Sequence, residues 1–338
     1  MPSDINQNTI DLISQEYQKN DLNWSIGYSG GKDSTALLKL TFQAIHQTKR
    51  KLKKINIVYC DTGVEIPIMS SLVDKTLKKI KKESKELELP FNCVKLVPKL
   101  NDRYFVKVIG RGYPPPTNIF RWCTDKLRVI PIQTFLQTHS KENIVLLGVR
   151  KGESFERDKI ILKHYLEDVY YFRQNNFKQV KIFSPILNYD EDNVWETILN
   201  DSLPKSIDGK KLKKYYTLVK SVNENNIGGR FGCWTCTVVR KDKAVMNLIE
   251  AGYLELIPLL NFRNWLVSIR DIPKNRCKHR RNGQLGLGPF TLDARSIILD
   301  KLLIAQSESG LSLINDEELD YILKLWLVDK NSKTYREK

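Results

Sequence analysis

Trp24-Ser25-Ile26-Gly27-Tyr28-Ser29-Gly30-Gly31-Lys32-Asp33-Ser34-Thr35 is the stretch that decides the fold. Trp24–Tyr28 is a short apolar run suited to a buried strand, and Ala36–Ala44 behind it has the composition of a helix. Two consecutive glycines let the backbone turn sharply and gather its N–H groups toward an anion. The helix start adds unpaired donors and a positive dipole end. Lys32 contributes a point charge, and Ser29, Ser34 and Thr35 contribute hydroxyls. Together they form a socket for a pyrophosphate group. The spacing is not the Walker pattern, which needs four residues between its first glycine and Gly-Lys.

Outward from this loop the sequence alternates strand-like and helix-like stretches, which predicts an α/β fold with a parallel sheet. Strands are expected at Trp24–Tyr28, Ile55–Cys60, Asn92–Leu96, Asn143–Gly148 and Val180–Ser184. Helices are expected at Ser34–Gln47, Ile66–Leu87 and Thr124–Gln137. Asp190–Asn200 reads as a helix with Asp190 as its N-cap and Trp195 on its buried face. After about residue 200 the alternation stops. Thr291–Gln306 and Asp316–Asp329 are the clearest helices of a mainly helical remainder. Two parts are therefore expected, 1–200 and 201–338.

The chain has 338 residues and a net charge of +16, with 38 lysines against 17 arginines. Basic runs stand at Lys49–Lys54, Lys75–Lys85, Lys210–Lys214 and Lys274–Arg281. Such a surplus favours a nucleic-acid partner, because basic side chains release counterions from phosphates. No apolar run approaches the roughly 20 residues of a membrane span. The first residues, Met1-Pro-Ser-Asp-Ile-Asn-Gln, lack the pattern of a signal peptide, so a cytoplasmic location without membrane association is expected.

Further segments fit a nucleotide site. Asp61-Thr62-Gly63 follows the second strand, where a carboxylate serves a ribose hydroxyl or a magnesium ion. Arg121-Trp122-Cys123-Thr124 comes next, with Lys126 and Arg128. Gly148-Val149-Arg150 ends another strand and continues to Glu153, Ser154 and Arg157. Arg150 and Arg157 are suited to clamp phosphates by paired hydrogen bonds. Gly110–Thr117, with three prolines, reads as a functional loop; Tyr113, Trp122 and Trp234 are aromatics able to stack on a base, with plain packing the commoner role for each.

The Ser29–Ser34 loop resembles that of the PP-loop ATP pyrophosphatases. The ordered set with Asp61-Thr62-Gly63, Cys123-Thr124, Gly148/Arg150 and Ser184-Pro185 resembles their phosphoadenosine phosphosulfate (PAPS) reductase branch. Arg128 stands where that branch has lysine, and Tyr189-Asp190 where it has Asp-Trp. Phe231-Gly232-Cys233-Trp234-Thr235-Cys236-Thr237, with Arg121–Thr124 and Gly288–Thr291, resembles the DndC family of DNA phosphorothioation proteins, to which the SspD proteins are close relatives. The resemblance implies an adenine nucleotide alpha hydrolase-like (PP-loop) core and an ATP pyrophosphatase that activates a DNA phosphate for sulfur insertion in a restriction-modification system. A cysteine desulfurase and other phosphorothioation subunits would be its partners. The implied catalytic residues are Lys32, Asp33, Asp61 and Arg150. The implied ATP and Mg2+ site adds Ser29, Gly30, Gly31, Ser34, Thr35, Gly148 and Arg157.

Six cysteines are present. Cys60 and Cys93 fall in expected strands and read as core residues. Cys233 and Cys236 form a thiolate pair which, with Cys123 and Cys277, has the makings of an iron–sulfur site, of the 4Fe-4S type. A structural zinc site and a persulfide-carrying redox pair are the alternatives. The DndC family carries further cysteines just before its Phe-Gly-Cys-Trp segment; Ser221–Gly229 has none. Three other functions compete: a PP-loop tRNA thiolase, a PAPS reductase and a non-catalytic DNA-binding scaffold. A PAPS reductase would be expected to carry a reducing cysteine near its C-terminus, and none follows Cys277.

Overall fold

The computed structural model describes residues 3–19, 21–49, 53–139, 143–152, 158–159, 170–173, 180–219 and 231–331. Six strands form one sheet: β1 (Asn23–Gly27), β2 (Ile55–Cys60), β3 (Phe91–Leu96), β4 (Asn143–Leu146), β5 (Tyr171–Arg173) and β6 (Val180–Phe183). Their spatial order is β3-β2-β1-β4-β6-β5. All neighbours pair in parallel except β5, which runs antiparallel to β6 at the edge. The register sets Trp24 beside Ile55 and Ile144. The C-terminal ends of the parallel strands therefore share one rim, where ligands of open α/β sheets bind.

Successive strand residues point to opposite faces. Ile57 and Tyr59 join the large core that also holds Trp24, Ile26 and the helix α2 (Lys32–Gln47), while Val58 joins a separate cluster with Phe135 and Leu136. Helices thus cover both faces. α1 (Asp4–Gln18) packs on α2. α3 (Pro67–Glu86) starts with proline, whose missing N–H costs nothing in the first turn, and buries Met69, Val73, Leu77 and Ile80 at helical spacing. On the second face, a helix enters at Trp122–Thr124, makes a wide turn over Asp125–Val129 and continues as α4 (Ile130–His139).

α5 (Glu191–Leu199) is capped by Asp190, whose carboxylate accepts the Asn193 N–H at 2.7 Å while the Asn193 side chain accepts the Asp190 N–H. Its buried face is Val194, Thr197 and Ile198. Trp195, expected there, sits half-buried at the flank, donates to Glu191 and meets Tyr216 edge-on. Among the described residues five α-helices follow: α6 (Gly209–Val219), α7 (Lys243–Glu250), α8 (Ile257–Ile269), α9 (Leu292–Ser309) and α10 (Asp316–Asn331). α9 and α10 clasp a wide helical turn at Val106–Gly110. There the buried Arg295 pairs with Asp329 at 2.7 Å and donates to the Gly110 carbonyl at 2.9 Å. A buried guanidinium is tolerable only with this density of acceptors. Among the described residues, no helix is long and apolar enough to cross a membrane.

Candidate nucleotide and thiol site

β1 runs into the loop that the sequence singles out. Gly30 has a φ of 74°, and a Cβ there would fall 2.1 Å from the Val73 side chain, so α3 packs against bare backbone. Gly31 caps α2 without a side-chain acceptor, and the Lys32 N–H of the first turn is taken by the Tyr216 hydroxyl at 3.1 Å. The serines close the loop on itself: the Ser34 hydroxyl donates to the Gly31 carbonyl at 3.0 Å and lies 3.1 Å from the Ser29 hydroxyl. Ser34 thus shapes the loop, and Thr35 is buried beside Tyr28.

The two expected cations converge on Asp33. Arg150 Nε donates to Asp33 Oδ1 at 2.5 Å, and its Nη1 to the Tyr189 carbonyl at 3.2 Å. Lys32 Nζ stands 3.6 Å from Asp33 Oδ2 and 5.5 Å from the centre of the Tyr216 ring. Both cations are buried. Gly148 explains how β4 comes so close: a Cβ on it would sit 2.8 Å from the Asp33 backbone. Two cations and a helix N-terminus at one loop fit a chain of phosphates. Arg157 lies outside the described residues.

Asp61 lies just beyond β2 and is held by a cation of its own. Its carboxylate accepts the Gly63 N–H and pairs with Lys95, each at 2.8 Å, and Lys95 also holds Asp74 at 2.9 Å. Burial works against the charged form of Asp61, but Lys95 and the Gly63 N–H outweigh it, so its pKa is lowered. Burial raises that of neighbouring Glu65, although Thr62 donates to it. Asp61 faces a cavity of about 490 Å³ lined also by Glu65, Asp74, Lys78 and Trp234, and no residue of the loop 29–35 lines it.

The Cys233 segment docks on this same turn. Glu65 and Cys233 form an antiparallel bridge, and the Trp234 N–H donates to the Val64 carbonyl at 3.0 Å. Cys233 Sγ lies 3.8 Å from the Thr62 hydroxyl and 4.0 Å from Arg128 Nη2. Burial pushes the Cys233 thiol up to about 11, with Arg128 pulling the other way. Cys123, Cys233 and Cys236 all interact electrostatically with the buried Tyr104.

A family model described as the phosphoadenosine phosphosulfate reductase domain matches residues 23–239, well over half of the chain. The chain belongs to the PAPS reductase domain family. The matched span begins at β1 and ends just beyond the Cys233/Cys236 pair. An uncharacterized protein of Methanocaldococcus jannaschii is 27% identical over 251 residues, or 74% of this chain and 43% of the relative. This PAPS reductase domain protein therefore spans less than half the length of that relative. Among solved structures, the PAPS reductase of Candida auris aligns with a TM-score of 0.41 and 15% identity, over 69% of this chain and 94% of that one. The U34-tRNA thiolase NcsA of Methanococcus maripaludis, with its [4Fe-4S] cluster, aligns with a TM-score of 0.38 and 14% identity, over 84% of each chain.

In this family member the expected four-cysteine set is split. Cys277 sits on a hairpin, its N–H on the Pro289 carbonyl, with Arg295, Arg276, Asp329 and Arg281 as charged neighbours. Among the described residues no three His, Cys, Asp or Glu side chains are arranged to hold a metal ion. The thiols as placed do not fit a preformed iron–sulfur or zinc centre. The carboxylates of Asp33 and Asp61 are likewise engaged by cations. Trp122 and Trp234 take the packing role that is the alternative to stacking: both are buried, and Trp122 donates to the Pro114 carbonyl. Tyr216 was invisible in the sequence as a site residue, because nothing in Lys-Lys-Tyr-Tyr marks which tyrosine meets the loop.

Proposed function

We propose that this protein is an ATP pyrophosphatase that adenylates a DNA backbone phosphate and so prepares it to exchange a non-bridging oxygen for sulfur. The docking of Cys233-Trp234 on the turn that leaves β2 carries this reading, because it sets thiols on the same sheet rim as the phosphate loop. DNA as the substrate is supported by the resemblance of Phe231–Thr237 to the DndC family and by the net charge of +16.

In this mechanism the N–H groups at the start of α2 hold the β and γ phosphates of MgATP. Arg150 and Lys32 leave Asp33 and neutralise the charge that builds on the departing pyrophosphate. A non-bridging DNA oxygen attacks the α phosphorus, and the bond to the β-phosphate oxygen breaks. The terminal sulfur of a persulfide made by a cysteine desulfurase then attacks the DNA phosphorus, and AMP leaves with the displaced oxygen. A second thiol attacks the carrier sulfur, breaking the S–S bond to free the phosphorothioate and closing a disulfide with the carrier. Residues 1–200 supply the ATP chemistry, and residues 201–338 supply the thiol segment and the substrate surface, with other phosphorothioation subunits as partners.

The test is pyrophosphate release by wild type and Lys32→Ala, with DNA or tRNA added. DNA-stimulated release that Lys32→Ala abolishes supports the proposal. Stimulation by tRNA alone identifies a tRNA thiolase, and equal background release from both proteins a non-catalytic scaffold.

A further inference from the structure

Two segments of the sequence carry cations and no carboxylate. Between Asp102 and Asp125 stand Arg103, Lys107, Arg111 and Arg121. Between Asp271 and Asp293 stand Lys274, Arg276, Lys278, Arg280 and Arg281. The fold joins them. The Phe290 N–H donates to the Gly112 carbonyl at 2.7 Å, Arg281 donates to the Arg111 carbonyl, and the Arg281 guanidinium lies 5.7 Å from the Tyr113 ring centre. Tyr113 stacks on Phe120 at 6.4 Å between ring centres.

Residues 276–290 form a hairpin bolted at its base by the buried Arg276, which donates to the carbonyls of Gly288 at 2.6 Å and Arg270 at 2.8 Å. Beyond the base, Lys278, His279, Arg280 and Arg281 are exposed. So are apolar side chains: Leu285 is 78% exposed, Ile119 99% and Phe120 45%. Arg103 and Lys107 are neutralised by Glu317 and Asp102. Arg111, Arg121, Lys278, Arg280 and Arg281 have no ion-pair partner among the described residues. Cations interleaved with exposed apolar and aromatic side chains suit a strand whose phosphates need charge and whose unpaired bases need a flat apolar contact. A duplex hides its base faces and would leave Ile119, Phe120 and Leu285 in water.

We propose that loop 111–121 and hairpin 276–290 together bind single-stranded DNA and lead it to Cys123, where the helix carrying Arg128 to Cys233 begins. This assignment rests on the DNA reading above and names its contact surface. Residues of both expected parts of the chain build it, so the nucleic acid would lie across their junction.

The experiment is fluorescence anisotropy of a labelled single-stranded oligonucleotide, the matching duplex and a tRNA at several salt concentrations, with the full chain. The proteins are wild type, Lys278→Ala/Arg280→Ala and Phe120→Ala, all at exposed positions outside the ATP site, with ATP binding measured beside them as a control. The double variant should bind the single strand at least about tenfold more weakly and lower the salt slope by about 1.4, the share of two phosphate contacts. Phe120→Ala should lose about tenfold, the loss of one base stack. ATP binding should not change. Wild-type affinity in both variants overturns the surface while leaving the DNA reading intact. Tighter binding of the duplex overturns the single-strand assignment. Wild type that binds tRNA and neither form of DNA overturns the DNA reading itself.

Discussion

The Tyr216 hydroxyl accepts the Lys32 backbone N–H at 3.1 Å, so a side chain of α6 occupies a donor of the phosphate loop. The same ring packs edge-on against Phe231, two residues before Cys233, at 5.0 Å between centres. A phosphate oxygen that takes the Lys32 N–H must displace the tyrosine hydroxyl. Tyr216→Phe removes that competitor, and a hydrogen bond is worth roughly 0.5–1.5 kcal/mol. Pyrophosphate should therefore bind Tyr216→Phe about two- to tenfold more tightly by calorimetry. Weaker binding would mean that the hydroxyl contacts the ligand.

Arg150 and Asp33 form a buried pair in which both members belong to the proposed chemistry. Arg150→Ala leaves the Asp33 carboxylate with only the more distant Lys32. Such a loss typically costs a few kcal/mol of stability. It should also lower ATP-dependent pyrophosphate release by about a hundredfold. Denaturant titration and a release assay separate the two effects: Asp33→Ala/Arg150→Ala should regain much of the stability and none of the activity.

The thiols divide by position. Cys233 faces Thr62 and Arg128 on the rim, and Cys277 stands on the hairpin. Cys233→Ser should abolish phosphorothioate formation, read by mass spectrometry of DNA, while ATP turnover persists. Cys277→Ser should keep both. Loss of sulfur insertion in Cys277→Ser would show that the two thiols meet during the reaction.

Much of this architecture is legible in the sequence, for local reasons. Trp24–Ile26 and Ile55–Cys60 are largely apolar runs suited to a buried strand, and Asp190 is a cap readable from one residue. The loop glycines announce a close backbone approach, and Gly148 proves to make one with Asp33. What the sequence hides is pairing across distance. Nothing near Asp61 in the sequence announces that Lys95, on the neighbouring strand, pairs with it. β5 is three residues long and takes its place from antiparallel pairing with β6. Whether Trp122 and Trp234 stack or pack is not decided locally, because burial depends on segments that arrive later in the chain.

Lys39 links α2 to the end of α5. Its ammonium is buried and donates to the carbonyls of Ile198 at 3.1 Å and Asn200 at 2.7 Å. Burial lowers its pKa to about 8 from the ordinary 10.5. Between these values the unfolded chain binds more protons, so raising the pH favours the fold. Relative to Lys39→Met, wild type should gain on the order of 2–3 kcal/mol between pH 8 and 10.5. Urea titrations at several pH values measure this, and a constant difference would refute a lysine that loses its charge on burial.

The central claim concerns which bond of ATP breaks. Incubation of the protein with ATP labelled on the α phosphate, with and without single-stranded DNA, followed by separation of the nucleotides, reads it directly. The account predicts AMP and an equal amount of pyrophosphate, dependent on DNA and absent with Lys32→Ala. ADP and inorganic phosphate, or AMP formed equally well by Lys32→Ala, would contradict it.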